Sequence, residues 1–496
     1  MKSLIAWIKE VKATIQPYQV SVLIISFIAM LTANGLVMAL PIILLDPTLI
    51  CFDNSNGLEG PGFECSMREA CSGEYTYVID QTESINSFTN EFNLICDDGY
   101  LSDLVGSFAF FGKMLGYFFY TYYIDTSKPL VRPLMNTILA CGITGMLALV
   151  CFDPRLYYVI MFLFNFFNSG IITLCYSHTV EVCQKNKELK ESCVQLIYVG
   201  WALSSCYSAA FAQISSDWRI LTSIVSSLPL IIVYFWYYNL ESHYYEFLKD
   251  VQHLKADTAY DEKEYVKEHP KAGHFINLLK FKSLRMMTIM TCLIESILGI
   301  VYYGAHLAVD SLVGNIYINM SLLGIMEAIG YLTSAVVNTQ YKRRESHYVF
   351  LFLNFLVYIL FLFCYTEHKS ESTYELLVAN AVLALAGKWL NTVLYGMFHG
   401  YLAELAPNNY RPAIFSFTGA VSAVFFIIIP QIITAMQMLG FSSYVAFGIS
   451  NLLGILFVCP LEETKGKVPK EVADEELTDQ IELAKPDAQA QTPSTV

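Results

Sequence analysis

Charge is what this chain has least of. Asp, Glu, Lys and Arg make up 15% of its 496 residues, against about a quarter in soluble domains. With 55% hydrophobic residues, that shortage excludes an ordinary soluble fold. Catalytic and ATP-driven signatures are missing as well. No G-x-x-x-x-G-K-[ST], H-E-x-x-H, G-x-S-x-G or C-x-x-C zinc framework occurs, so neither an enzyme nor a cofactor is expected. The net charge of −14 gives no reason to expect a nucleic-acid partner. The opening stretch "MKSLIAWIKEVKATIQP" has no small-residue cleavage site, so the mature chain is expected to begin at Met1.

Long apolar runs are abundant instead. A run of about 20 apolar residues crosses a hydrocarbon core of about 30 Å as a helix. Twelve such spans are predicted, at 19–45, 101–124, 131–152, 156–178, 194–214, 218–239, 286–308, 314–337, 347–366, 374–402, 411–436 and 441–460. The fold class is therefore an all-α membrane protein embedded in a lipid bilayer. Positively charged loops stay cytoplasmic, and the 30 Lys and Arg are strongly asymmetric. If both termini are cytoplasmic, only Arg68, Arg155, Arg219 and Lys369 fall on the other side, and Lys113 and Lys388 lie within spans.

The first outer loop, 46–100, holds 11 Asp or Glu against one Arg. Such an anionic mouth concentrates cations, although outer loops are in any case poor in Lys and Arg. Its four cysteines, Cys51, Cys65, Cys71 and Cys96, face an oxidising compartment, so two disulfides are expected, with three pairings open. The organisation reads as a cytoplasmic segment 1–18, a six-helix bundle 19–239, a mixed-charge cytoplasmic linker 240–284, a second bundle 285–460 and an acidic disordered tail 461–496. A six-plus-six parallel repeat is the mark of major facilitator transporters, with the substrate site near mid-membrane.

A charged side chain at the bilayer centre costs about 2.5 to 3.5 kcal/mol on insertion scales, so each one in a span needs a reason. Glu327 lies in "INMSLLGIMEAIGYLTSAVV", Glu295 in "TCLIESILGIVYYG", Lys113 in the second span and Lys388 in "AGKWLNT". Glu327 can pair with an organic ammonium or carry a proton. The alternative is a packing carboxylate paired with Lys388 or Lys113. Glu295 and Lys113 read either as structural ion-pair partners or, for Glu295, as a second cation or proton site. Asn34 and His399 complete the polar set, with interhelical hydrogen bonding as the alternative role.

The fragments "NEFNLICDDGYLSDLVGSF", "SDWR", "VYYG", "GNIYIN", "AELAPNNYR" and "ETKGK", in this order over most of residues 80–467, resemble the organic cation/anion/zwitterion transporter branch of the major facilitator superfamily. The resemblance implies a polyspecific carrier of small organic solutes, alternating access and a plasma-membrane address. It makes Glu327 in "GIMEAIGY" a substrate-facing residue and matches Tyr302 and Tyr303 to an aromatic pair. Tyr331, one turn beyond Glu327, stands where anion-carrying relatives look to have Lys, and Ala423 stands where cation carriers have Asp and anion carriers Arg. Tyr198 and Trp201 are plausible cavity residues.

Gating is expected of Asp125, Glu404 and Arg411, with Lys128 and Arg132 as cations that can serve the same latch or simply belong to a positive-inside loop. The motif after the second span departs from the family, with Thr121, Thr126 and Lys128 replacing a Gly, an Arg and a Gly. Three readings follow: a carrier of cations or zwitterions, a proton-coupled carrier of anions or neutral metabolites, and a facilitator-like receptor or assembly subunit. The oligomeric state is left open.

Overall fold

The computed structural model describes residues 17–53, 62–65, 67–80, 86–96, 99–126, 131–182, 187–215, 217–238, 277–312, 314–364, 374–407 and 410–467. Most of the predicted segment 1–18, linker 240–284 and tail 461–496 lies outside the described residues.

In hydrocarbon a backbone must satisfy its own N–H and C=O groups, which makes the apolar runs helical. The long helices are α1 (Pro17–Ile43), α2 (Gly99–Thr126), α3 (Val131–Met146), α4 (Pro154–Val182), α5 (Lys187–Ile214), α6 (Trp218–Ser226), α7 (Lys282–Leu307), α8 (Ile316–Gln340), α9 (Arg343–Ile359), α10 (Tyr374–Leu405), α11 (Arg411–Phe426) and α12 (Ser443–Val458). Nine helical runs among the described residues are long and apolar enough to cross a membrane, those of α3, α6, α9 and α11 extending to Val150, Tyr238, Phe363 and Met438. The three other predicted spans are helical too. α12 is shorter, at 16 residues, while α2 and α5 have 28 each and carry more polar side chains.

Local chemistry sets the helix ends. Asn315 caps α8 by accepting from the N–H groups of Tyr317 at 3.0 Å and Ile318 at 3.2 Å, and Asp217 caps α6 through the Arg219 N–H at 2.8 Å. Pro430 cannot donate a helix hydrogen bond. There α11 breaks and resumes as Ile429–Met438.

Within the first six helices, α2 packs on α4, α1 on α5 and α3 on α4. Within the last six, α8 packs on α10, α9 on α12 and α7 on α11 and α12. The two sets meet where α5 packs on α8 and α2 on α11. At the end of this seam nearest the 46–100 loop, polar ties cross it. The Ser107 hydroxyl donates to the carbonyl of Ile427 at 2.8 Å, beside the helix break. Thr434 donates to the Asp103 carboxylate at 2.9 Å, and His306 Nε2 meets the Met38 carbonyl at 3.0 Å.

The loop itself contains a small antiparallel sheet, ordered β2–β1–β3, from β1 (Leu49–Asp53), β2 (Phe63–Cys65) and β3 (Tyr75–Ile79). The disulfides join Cys51 to Cys65 and Cys71 to Cys96, choosing one of the three pairings. The first staples neighbouring strands and lies in the loop's own cluster of Leu49, Cys51, Cys65, Ala70 and Ile95, against which Cys96 of the second packs. A polar clamp fixes the loop to the start of α6. The Glu91 carboxylate receives both terminal nitrogens of Arg219, one at 2.6 Å, and Trp218 Nε1 at 2.8 Å. Asn86 donates to Asp217 at 2.6 Å.

Candidate functional site

Lys113, Glu295, Glu327 and Lys388 sit near the middles of α2, α7, α8 and α10, at 1%, 6%, 0% and 0% exposure. Two amines and two carboxyl groups match in number. Burying them costs heavily, and only close pairing with further hydrogen bonds offsets it.

One pair is in direct contact. Lys388 Nζ lies 2.9 Å from Glu327 Oε2, and the Tyr302 hydroxyl donates to the other carboxylate oxygen, Oε1. Trp201 Nε1 donates to the Tyr302 oxygen at 2.7 Å, which carries the network from α7 in the second set to α5 in the first. The Lys388 ammonium also stands 3.7 Å from the Tyr302 ring centroid, a cation–π contact. Helices α8 and α10 come this close because Gly330 has no side chain. A Cβ there would lie 2.7 Å from the Thr392 Cβ.

The second pair is looser. Lys113 donates to the Tyr303 hydroxyl and lies 4.5 Å from the Tyr303 ring centroid and 5.0 Å from that of Trp201. Glu295 lies within electrostatic reach of Lys113, but no ion pair joins them among the described residues. Its Oε2 is buried with no hydrogen-bond partner.

Aromatic rings line the seam. Tyr198 of α5 stacks on Tyr331 of α8 at 5.4 Å and approaches His399 of α10 at 5.8 Å. Tyr302 packs on Tyr395 at 5.3 Å and on Tyr303 at 5.0 Å. Glu327, Tyr302, Tyr303, Trp201, Tyr198 and Tyr331 thus form one connected group, with Glu295 beside it. Asn34 stands apart from the charges. It donates to Ser204 at 2.8 Å and to the Trp201 carbonyl at 3.3 Å, tying α1 to α5.

The residues assigned to gating do not gather into one latch among the described residues. The Asp125 side chain and Lys128 lie outside those residues, and Arg132 is exposed. Glu404 receives Arg343 through Nε at 2.9 Å and Nη2 at 2.6 Å and Thr464 at 2.6 Å. Glu463, in the "ETKGK" stretch, accepts the backbone N–H groups of Arg343 and Arg344, each at 3.0 Å. This cluster binds the turn between α8 and α9 to the ends of α10 and α12. Arg411 is half-buried, within electrostatic reach of Glu404 and of Tyr176 on α4.

Two residues escaped the sequence reading, Tyr395, which packs on Tyr302, and Tyr117, which lies within electrostatic reach of Glu295. Tyr117 is one turn beyond Lys113 and Tyr395 two turns beyond Lys388, so spacing from an intramembrane charge was the signal available.

The Major Facilitator Superfamily sequence model matches residues 22–430. Solute carrier family 22 member 15-like of Xenopus tropicalis is 25% identical over 415 residues, covering 80% of this chain and 83% of its own. Organic cation/carnitine transporter 2 of Mus musculus is 23% identical over 451 residues, covering 85% and 77%. The organic cation transporter-like protein of Drosophila melanogaster is 24% identical over 372 residues, covering 68% and 63%. With the matched region running from α1 to the break in α11, the chain belongs to the major facilitator superfamily, as a multi-pass membrane transporter of small organic solutes and not an enzyme.

Proposed function

We propose that this transporter carries small organic cations or zwitterions across the plasma membrane by alternating access, with both termini cytoplasmic. The observation that carries the reading is Glu327, held between Lys388 and Tyr302 on the seam between the two helix sets. A solute ammonium competes with Lys388 for that carboxylate, and the released lysine is free to receive the carboxylate of a zwitterion. Tyr302, Tyr303 and Tyr331 supply ring faces that accept alkylated ammonium groups, which carry few hydrogen-bond donors. The names of the mouse and fly relatives, an organic cation/carnitine transporter and an organic cation transporter-like protein, support the same class.

Alternating access follows as rocking of residues 19–239 against 285–460 about the buried charges. Opening toward the disulfide loop requires the Ser107–Ile427 and Asp103–Thr434 ties to part. The acidic loop then lies at the outer mouth and concentrates cations there.

The test is a competition screen in proteoliposomes, with labelled tetraethylammonium as the reporter. Unlabelled quaternary amines and betaine-type zwitterions are expected to inhibit uptake, while monocarboxylates and dicarboxylates are not. Inhibition by the acids alone contradicts the assignment.

A further inference from the structure

Lys113 and Glu295 are not used by that mechanism, yet each places an ionisable side chain in the centre of the bundle. Their geometry is not that of a structural ion pair, because no contact joins them and Glu295 Oε2 is buried without a hydrogen-bond partner. A buried carboxylate oxygen left in that condition is costly unless something occupies it.

The surroundings of Glu295 indicate what that is. Tyr117 of α2, Tyr198 of α5, Tyr303 of α7 and Tyr395 of α10 all lie within its electrostatic reach. Cys292 on its own helix does so too. Tyr117, Tyr198 and Tyr395 are only half-buried, so their rings keep surface that no protein atom covers. Lys113 is an alkylammonium on a tether, and the protein already holds it by ring faces and one hydroxyl. The protein therefore displays its own ligand chemistry there, an ammonium against aromatic rings, near a carboxylate with a buried, unpartnered oxygen.

We infer that Glu295 is a second ammonium site, set among Tyr117, Tyr198, Tyr303 and Tyr395, and that Lys113 is the nearby cation whose repulsion a solute must overcome there. The inference rests on the reading of the chain as a carrier of ammonium-bearing solutes. It adds a docking group, on α7, separate from the Glu327–Lys388 pair. A solute ammonium at Glu295 repels Lys113, so loading pushes apart charges on α2 and α7, which belong to opposite sides of the seam. Binding and the parting of the two helix sets are thereby linked.

The experiment is equilibrium binding of labelled tetraethylammonium to the purified full chain in detergent. Wild type is compared with Glu295→Gln, Glu295→Asp and Lys113→Gln, each checked by its melting temperature. Glu295→Gln is expected to weaken binding about tenfold or more, as loss of a charge-assisted contact does. Glu295→Asp should keep part of the affinity. Lys113→Gln is expected to tighten binding several-fold, since it removes the repelling cation.

Unchanged affinity in Glu295→Gln overturns the inference while leaving the carrier reading intact. So does a result in which Glu295→Gln alters only the pH dependence of uptake, which makes Glu295 a proton site. Equal weakening in Lys113→Gln and Glu295→Gln, with equal losses of melting temperature, makes the two a structural couple and overturns it as well. If wild type binds no ammonium probe at all, the carrier reading falls and takes this site with it.

Discussion

At the scale of single residues, the buried Glu327–Lys388 pair separates what holds the protein together from what is proposed to bind solute. Removing one partner strands a charge, which costs about 3 to 5 kcal/mol. Lys388→Met alone is thus expected to lower the melting temperature sharply, and Glu327→Gln with Lys388→Met to recover most of that loss. Transport should stay abolished in both. Thermal unfolding in detergent and uptake in vesicles, run on the same preparations, check the two halves of this expectation.

Glu327 was legible because a carboxylate in an apolar helix has no cheap explanation, and the same logic exposed Lys113, Glu295 and Lys388. Which cation met which carboxylate was not legible, since it depends on how four helices rotate about the seam. The tyrosines were harder still. Among 33 of them, Tyr117 and Tyr395 acquire meaning only from a neighbouring charge: each of the four charges has a tyrosine one or two turns further along its helix.

At the scale of elements, close approach of α8 and α10 is what lets Lys388 reach Glu327. A larger side chain at Gly330 is driven into Thr392, and overpacking of this kind costs about 1 to 3 kcal/mol. Gly330→Leu is expected to lower stability by such an amount and to reduce uptake further than stability alone explains, because the ion pair lengthens. Measuring both in parallel distinguishes this from simple destabilisation.

The disulfide loop makes a separate prediction. The Arg219 guanidinium holds the Glu91 carboxyl below its ordinary value of 4.5, with burial opposing and Trp218 assisting. A carboxylate depressed in the folded state stabilises above its ordinary value and loses that contribution as pH falls through the lowered one. Melting temperature should therefore drop on acidification below about 4.5, less steeply in Glu91→Gln. Helix positions could be read from apolar length alone. The loop's three short strands could not, because segments of three to five residues leave no long periodic pattern, and four cysteines permit three pairings.

At the scale of the whole molecule, the scarcity and placement of charge govern both orientation and energetics. The asymmetry of Lys and Arg expects both termini on the cytoplasmic face, and terminal tags should be protected from external protease in intact cells while the 46–100 loop is cut. In the proposed reading the energy for uptake comes from gradients. An interior-negative potential supplies about 2.3 kcal/mol per 100 mV for each positive charge moved, sufficient for uphill uptake of a monovalent cation.

The direct measurement is uptake of labelled tetraethylammonium into proteoliposomes under an imposed potential, comparing wild type with Glu327→Gln. The account expects uptake that rises with interior-negative potential in wild type and is lost in the variant. Uptake independent of potential, or equal in both proteins, would contradict a cation carrier built around Glu327.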